Sequence, residues 1–305
     1  MIRYISRTTK DDAPTLLDEF RPGSWILVEA PTEQELDALA ATFALDRGHL
    51  ADAVDPFEAP RVEPEENATY VYARVPIEEA KHITTTPILI CVGSAFVLTI
   101  AHYPVTFAAR LLEGRIPFDT TQKAKFFAQI FSEINTTYQQ FLMQIARRVR
   151  AMSVELERIE NRDIVQFVAY EGVLNDFLSA LIPMNTILQN ILSGKFFPLD
   201  GDRDATEDAL LTNGQLIEAS KSSLKTIVNI REAYSTIITN NLNRVIKLLT
   251  ALTIVLTVPT MIASFYGMNV PLPYANSPWA FASIVGITIG ICLVLIWLFN
   301  RNRWL

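Results

Sequence analysis

Histidine and cysteine are scarce in this chain, and their scarcity removes several chemistries at once. The 305 residues contain three histidines and two cysteines. His49, His82 and His102 show no ligand spacing to one another or to a cysteine. Cys91 and Cys292 lie far apart, which argues against a disulfide framework and against a zinc site. Neither a glycine-rich phosphate loop nor a Gly-x-Ser-x-Gly elbow is present, so no enzyme and no resident cofactor is expected. Glu155, Glu157 and Glu160, beside Arg158 and Arg162, read as a solvated helix face, and Arg147-Arg148 and Glu65-Glu66 read as surface. A formal net charge of −7 argues against a general nucleic-acid binder. Residues Met1 to Arg7 lack the apolar stretch of a signal peptide, so the bulk of the protein is expected in the cytosol.

Charge itself is missing near the C-terminus. From Ile246 to Phe299 the only Lys, Arg, Asp or Glu is Lys247. Residues 246–264 and 279–299 each supply about 19 to 21 mostly apolar residues, enough to cross a hydrocarbon core of about 30 Å. Between them, residues 265–278 carry three prolines, which forbid a continuous helix and mark a short turn outside the membrane. Arg244 and Lys247 precede the first span, and Arg301 and Arg303 follow the second. The positive-inside rule then places both termini in the cytoplasm. Trp279 suits one interface and Trp297 and Trp304 the other. A two-span protein of a bacterial or archaeal inner membrane is expected.

The first span carries a polar pattern. Asn243, Thr250, Thr253, Thr257, Thr260 and Ser264, with Ile246, recur at steps of three and four and share one face at about 100° per residue. Lipid cannot satisfy such a stripe, so it faces other helices or water. Periodicity alone leaves interhelical packing and a pore equally open. One helix cannot enclose a path, so conduction demands a cyclic oligomer, with the less polar second span outermost. Hydroxyls and amides instead of carboxylates suit an ion that keeps its water, as Mg²⁺ does. Ile246 and Leu249 supply either an apolar constriction or ordinary packing. At the outer end, Gly267 is expected to let the backbone turn sharply. There the Asn269 amide oxygen can meet a hydrated ion near convergent negative helix ends.

These residues resemble the CorA family of divalent-cation (magnesium/cobalt) transporters. The resemblance rests on Asn243 to Thr250, Pro259, Tyr266-Gly267-Met268-Asn269 and the closing Arg303-Trp304-Leu305, and more loosely on Leu50 to Glu63. It implies a homopentameric funnel whose long first-span helix lines the pore. Gly267, Met268 and Asn269 would form the outer selectivity motif. Asn243, Leu249, Thr257 and Thr260 match pore-lining positions, and Arg244 and Lys247 would form a cytoplasmic basic ring. The family's magnesium sensor uses acidic residues between subunits; by ungapped spacing Asp208 matches one, with Glu78 or Glu79 as its partner. Two features depart from the family pattern. The outer loop has no acidic residue, which weakens cation concentration at the mouth. Asp208 is followed by Ala-Leu-Leu-Thr where many relatives keep further Asp and His. Met268 favours the magnesium-type branch.

Upstream, residues 1–120 read as an α/β cytosolic domain, residues 121–242 as a helical region and stalk, and residues 243–305 as the membrane domain. Strands are expected at 24–29, 69–75, 88–92 and 95–100, with a tight turn at Gly93-Ser94. Thr32 followed by Glu35 predicts a capped helix. Helices are expected at 121–160 and 162–192, broken by Gly194 and Pro198. A third is expected from Asp202 through the first span, about 60 residues and roughly 90 Å long. Mg²⁺ entry driven by an inside-negative potential is the leading expectation, with Mg²⁺ also a regulatory ion by the resemblance. The alternatives are Co²⁺, Ni²⁺ or Zn²⁺ transport, with or without proton coupling, and a non-conducting membrane-anchored sensor.

Overall fold

The computed structural model describes residues 1–80, 82–114, 116–153, 160–196, 203–269, 278–302 and 304. The expectations for the acid-free loop 270–277, for Glu155, Glu157 and Arg158, and for Pro198, Asp202, Arg303 and Leu305 lie outside the described residues. The chain divides into two compact units, Met1–Asn229 and Ile230–Leu305.

The first unit is built on a seven-stranded sheet. Its strands are β1 (Ile2–Ser6), β2 (Thr15–Leu17), β3 (Ser24–Glu29), β4 (Arg61–Pro64), β5 (Ala68–Glu79), β6 (His82–Gly93) and β7 (Phe96–Ala101). They lie in the order β2-β1-β3-β7-β6-β5-β4. Only the β3–β7 pair is parallel. Alternate residues of a strand face opposite sides of a sheet, and both sides are covered here. Ile26, Val28, Leu89, Leu98 and Ile100 pack with Leu36 and Leu39 of α1 (Glu33–Phe43) and Leu50 of α2 (Arg47–Asp52). On the other side Trp25 donates from Nε1 to Thr99 Oγ1 at 2.9 Å and meets Phe126 of α4 (Lys123–Ser153) edge-on. Double coverage explains why residues 88–92 read as an unbroken apolar run.

The expected cap of α1 is present. Glu35 N–H donates to Thr32 Oγ1 at 3.2 Å, and Thr32 N–H donates to Glu35 Oε2 at 2.9 Å. At the β6–β7 turn Gly93 is required by a close approach: a Cβ there would lie 2.6 Å from the Phe96 ring.

Strands β5 and β6 run further than composition suggests, straight through Pro76 and Pro87. Pro76 lies opposite Thr85 and Pro87 opposite Arg74. Proline has no N–H to give, and side chains serve the carbonyls facing each one. Arg74 Nη2 donates to Thr85 O at 2.6 Å, and Tyr138 Oη donates to Arg74 O at 3.0 Å. The second of these bonds also ties α4 to the sheet.

Helix α3 (Thr106–Leu112) follows the sheet, and α4 begins two residues later than expected because Asp119 organises the turn before it. The Asp119 carboxylate accepts from Thr9 N, Thr121 N and Thr121 Oγ1. Burial alone would raise its pKa, but these bonds and one from Gln122 N win and hold it below the ordinary carboxylate value. The sign follows: its stabilisation is full above the unfolded pKa of about 3.9 and is lost as pH falls through the lowered folded value. Wild type is therefore expected to lose stability more steeply than Asp119→Asn on acidification. Parallel acid-unfolding curves for the two proteins would refute the assignment.

Helices α5 (Asn161–Leu192) and α6 (Arg203–Tyr266) complete the helical expectation; α6 is one element of 64 residues. At the standard rise that is about 96 Å. The second unit holds the end of α6 together with α7 (Ala280–Arg301). Both helices are long and apolar enough to cross a membrane, and their apolar side chains are largely uncovered. Leu256 and Ile287 are exposed by 68% and 63%, which is untenable in water and ordinary in lipid.

Candidate functional site

Which side of α6 each residue occupies decides what the polar stripe can do. Along α7 the less exposed residues are Ala280, Ile284, Thr288, Cys292, Leu295 and Phe299, one face at steps of three and four. On α6 the matching set is Ala251, Val255, Val258, Pro259 and Ile262. A bond fixes the pairing: Cys292 Sγ lies 3.7 Å from Val255 O. That carbonyl is the one Pro259 leaves without its helical donor, since proline four residues on has no N–H. The α6–α7 contact therefore lies along small and aliphatic residues and repairs the defect Pro259 makes.

The polar stripe points elsewhere. At about 100° per residue, the mean direction of Asn243, Ile246, Thr250, Thr253, Thr257, Thr260 and Ser264 lies roughly 140° round α6 from the face against α7. All seven are exposed in the single chain. Packing against α7 therefore does not account for the stripe. Leu249, exposed by 64%, flanks it. Arg244 and Lys247 are exposed and lie off the stripe, towards the α7-facing side.

The threonine hydroxyls have a common orientation. Thr250, Thr253, Thr257 and Thr260 each donate to the carbonyl four residues earlier, at 2.8, 2.8, 2.7 and 2.9 Å. A hydroxyl has one proton and two lone pairs. With the proton turned back into the helix, what remains for the stripe to offer is acceptor capacity. Such a surface receives hydrogen bonds from the outward-pointing water protons of a hydrated cation. These four threonines offer no donor to an anion, whereas the Asn243 amide at the start of the stripe keeps both a donor and an acceptor.

At the end of α6, Gly267 N–H donates to Ala263 O at 3.0 Å and to Ser264 O at 3.2 Å, and Met268 N–H donates to Phe265 O at 3.3 Å. The motif's own backbone thus closes the helix. Gly267 does not adopt a positive φ, and a Cβ there would meet nothing closer than Ala263 O at 3.4 Å. The helix ends at the expected place and the backbone turns over residues 267–269, but by ordinary turn bonds and without a left-handed φ at Gly267. Met268 and Asn269 are exposed directly beyond it.

Asp208 is exposed on α6, and Glu78 and Glu79 are exposed at the end of β5. Among the described residues of the single chain no group of three or more His, Cys, Asp or Glu converges on a metal position. Sequence reasoning missed the packing face of α6 and the thiol at Val255 O. Their signal was available in the spacing of Ala251, Val255 and Val258 and in the position of Pro259.

The chain matches the CorA family model, described as CorA-like Mg2+ transporter protein, over residues 23–301. It is similar to the cobalt/magnesium transport protein CorA of Methanocaldococcus jannaschii, at 26% identity over 92% of this chain and 91% of that protein. Among solved structures, the complete CorA magnesium transporter from Methanocaldococcus jannaschii superposes with a TM-score of 0.88. That match has 23% identity and covers 100% of this chain and 99% of the other. The full-length CmaX protein gives a TM-score of 0.73 at 16% identity, covering 99% and 97% of the two chains. At these identities the structural likeness establishes the fold.

Proposed function

This chain belongs to the CorA family of ion transporters, an integral membrane protein and not an enzyme, and on that premise we propose that it admits Mg²⁺ through a homopentameric pore lined by α6. The observation that carries this reading is the run of four threonines that present only acceptors on the side of α6 turned away from α7. Five such stripes round an axis would line a path with Asn243, Thr250, Thr253, Thr257, Thr260 and Ser264. Mg²⁺ gives up its water reluctantly, and an acceptor lining holds it through that water. Ile246 and Leu249 form the apolar constriction, which closes by dewetting. Gly267, Met268 and Asn269 form the outer site, and Arg244 and Lys247 a basic ring at the cytoplasmic end. Both termini lie in the cytoplasm of a bacterial or archaeal inner-membrane protein, as the flanking arginines and lysine favour. A divalent ion gains about 4.6 kcal/mol per 100 mV of inside-negative potential, so entry needs no ATP. Asp208 of one subunit with Glu78 or Glu79 of a neighbour forms a regulatory Mg²⁺ site.

Co²⁺, Ni²⁺ or Zn²⁺ transport, with or without proton coupling, is the second reading, favoured by the absence of acidic residues between positions 270 and 278. Proteoliposomes containing a magnesium-sensitive dye, at an imposed inside-negative potential, are expected to fill with Mg²⁺ at a rate that rises with the potential. Suitable dyes report Co²⁺, Ni²⁺ and Zn²⁺ in parallel. Entry of those ions alone would transfer the assignment to the second reading. No flux from folded, oligomeric protein would leave a non-conducting sensor.

A further inference from the structure

Within the first unit, α6 is held by an unusual contact line. Ala209, Leu216 and Ile227 are buried, as a packed helix requires. Interleaved with them at a spacing of seven are Thr206, Asn213 and Ser220, all fully buried. Thr206 Oγ1, Asn213 Oδ1 and Ser220 Oγ have no hydrogen-bond partner. Other helix threonines, Thr137, Thr226 and Thr257 among them, turn their protons back on the carbonyl four residues earlier. The buried hydroxyls of this line do not. Beside them a cavity of about 240 Å³ opens between α4 and α6, lined by Gln139, Met143, Gln215, Ala219 and Ser223 among others. Buried polar side chains and this groove thus interrupt the apolar packing along the line.

One side chain supplies directional contact there. Asn135 on α4 is fully buried; its Nδ2 donates to Ala209 O at 2.8 Å, and its Oδ1 accepts from Asn213 Nδ2 at 3.3 Å. Both bonds reach α6, four residues apart; a slide of one turn offers Asn135 Nδ2 another backbone carbonyl, but it removes the side-chain bond to Asn213, which is the one that reads register. A single buried amide in an otherwise permissive helix contact specifies register at a cost in stability. α6 is one continuous helix from Arg203 to Tyr266, so the same element carries Asn213 and the stripe residues Thr250 to Ser264.

We propose that Asn135, paired with Asn213, is a positioning residue for transport that sets the axial register of α6 against α4. The transport consequence rests on the channel reading above; the register itself does not. The test compares wild type, Asn135→Leu, Asn213→Leu and the double variant for Mg²⁺ flux, thermal midpoint and cross-linking register. For the last, Met143→Cys is combined in turn with Gln215→Cys, Ala219→Cys and Ser223→Cys in a Cys292→Ala background; buried Cys91 stays unreactive.

The expected result is one dominant cross-link in the native register, spread over neighbouring positions in the leucine variants. Flux should fall at least about fivefold in each single variant and stay low in the double. The thermal midpoint of the double should meanwhile return to or exceed that of wild type, because removing both amides leaves neither one buried without the other and also removes the unpartnered Asn213 Oδ1. A purely structural role predicts flux that recovers with stability, and that outcome overturns the proposal. An unchanged cross-link pattern overturns it as well, as does a spread pattern with wild-type flux. Absence of flux from wild type would defeat the channel reading, while the cross-link pattern would still decide the register.

Discussion

Asn269→Ala is expected to abolish selective, potential-driven Mg²⁺ entry while leaving the protein folded and oligomeric. The motif backbone closes α6 through bonds from Gly267 and Met268, and none of those bonds uses the Asn269 side chain. Alanine at 269 therefore leaves the helix end intact and removes one amide oxygen per subunit from the outer mouth. A hydrogen bond to a charged partner contributes about 1.5–3 kcal/mol, or roughly 10- to 150-fold in occupancy. In the proposed homopentamer the loss would be repeated in every subunit, and with residues 270–278 free of acidic side chains the proposed mouth would have little other negative charge to compensate. Proteoliposome influx beside wild type, with size-exclusion profiles of both, measures it. Wild-type rate and selectivity in the variant would remove the motif from the mechanism.

Most of the two apolar helices and the long α6 was legible because their signals are global. A run from Ile246 to Phe299 with one charged residue admits few readings, and the absence of proline between Asp202 and Pro259 predicts the continuity of α6. Strand β3 was legible to the residue because both its faces are buried. Other elements depend on distant partners. Strand β4 carries Arg61 and Glu63 and looks like a charged loop; it is held by Arg61, whose guanidinium lies 3.9 Å from the Tyr72 ring centroid and pairs with Asp52 at 2.8 Å. Helix α2 has six residues and contains Gly48; it is started by the Asp46 carboxylate accepting from Gly48 N and His49 N. The full lengths of β5 and β6 were hidden by Pro76 and Pro87, whose exclusion from a sheet is lifted only by Arg74 and Tyr138. The stripe was visible as a period, but the choice between glue and acceptor surface needed two facts the period lacks: where α7 lies, and where the hydroxyl protons go.

Arg110→Ala is expected to destabilise the first unit by about 3–5 kcal/mol, the range for stripping one partner from a buried ion pair. Glu133 on α4 is buried, its side chain exposed by 8%. Arg110 on α3 meets its Oε2 through Nε at 3.0 Å and also donates from Nη2 to Glu133 O and Thr137 Oγ1. Without Arg110 the carboxylate keeps, among the described residues, Gln129 Nε2 at 3.5 Å, too long to offset its desolvation. At about 2–4 °C per kcal/mol for a unit of this size, the thermal midpoint should drop by roughly 6–20 °C. Arg110→Met with Glu133→Met should recover most of that loss, because two apolar side chains leave no charge behind. Glu133 lies two residues before Asn135, so this pair also anchors the stretch of α4 that holds α6 in register. Any flux defect in Arg110→Ala should therefore recover with stability in the double variant, the reverse of the pattern expected at Asn135. A midpoint within about 2 °C of wild type for Arg110→Ala, less than one kcal/mol at that conversion, would show that the pair contributes little and that α4 is anchored chiefly by Tyr138 and the aromatic packing on Trp25.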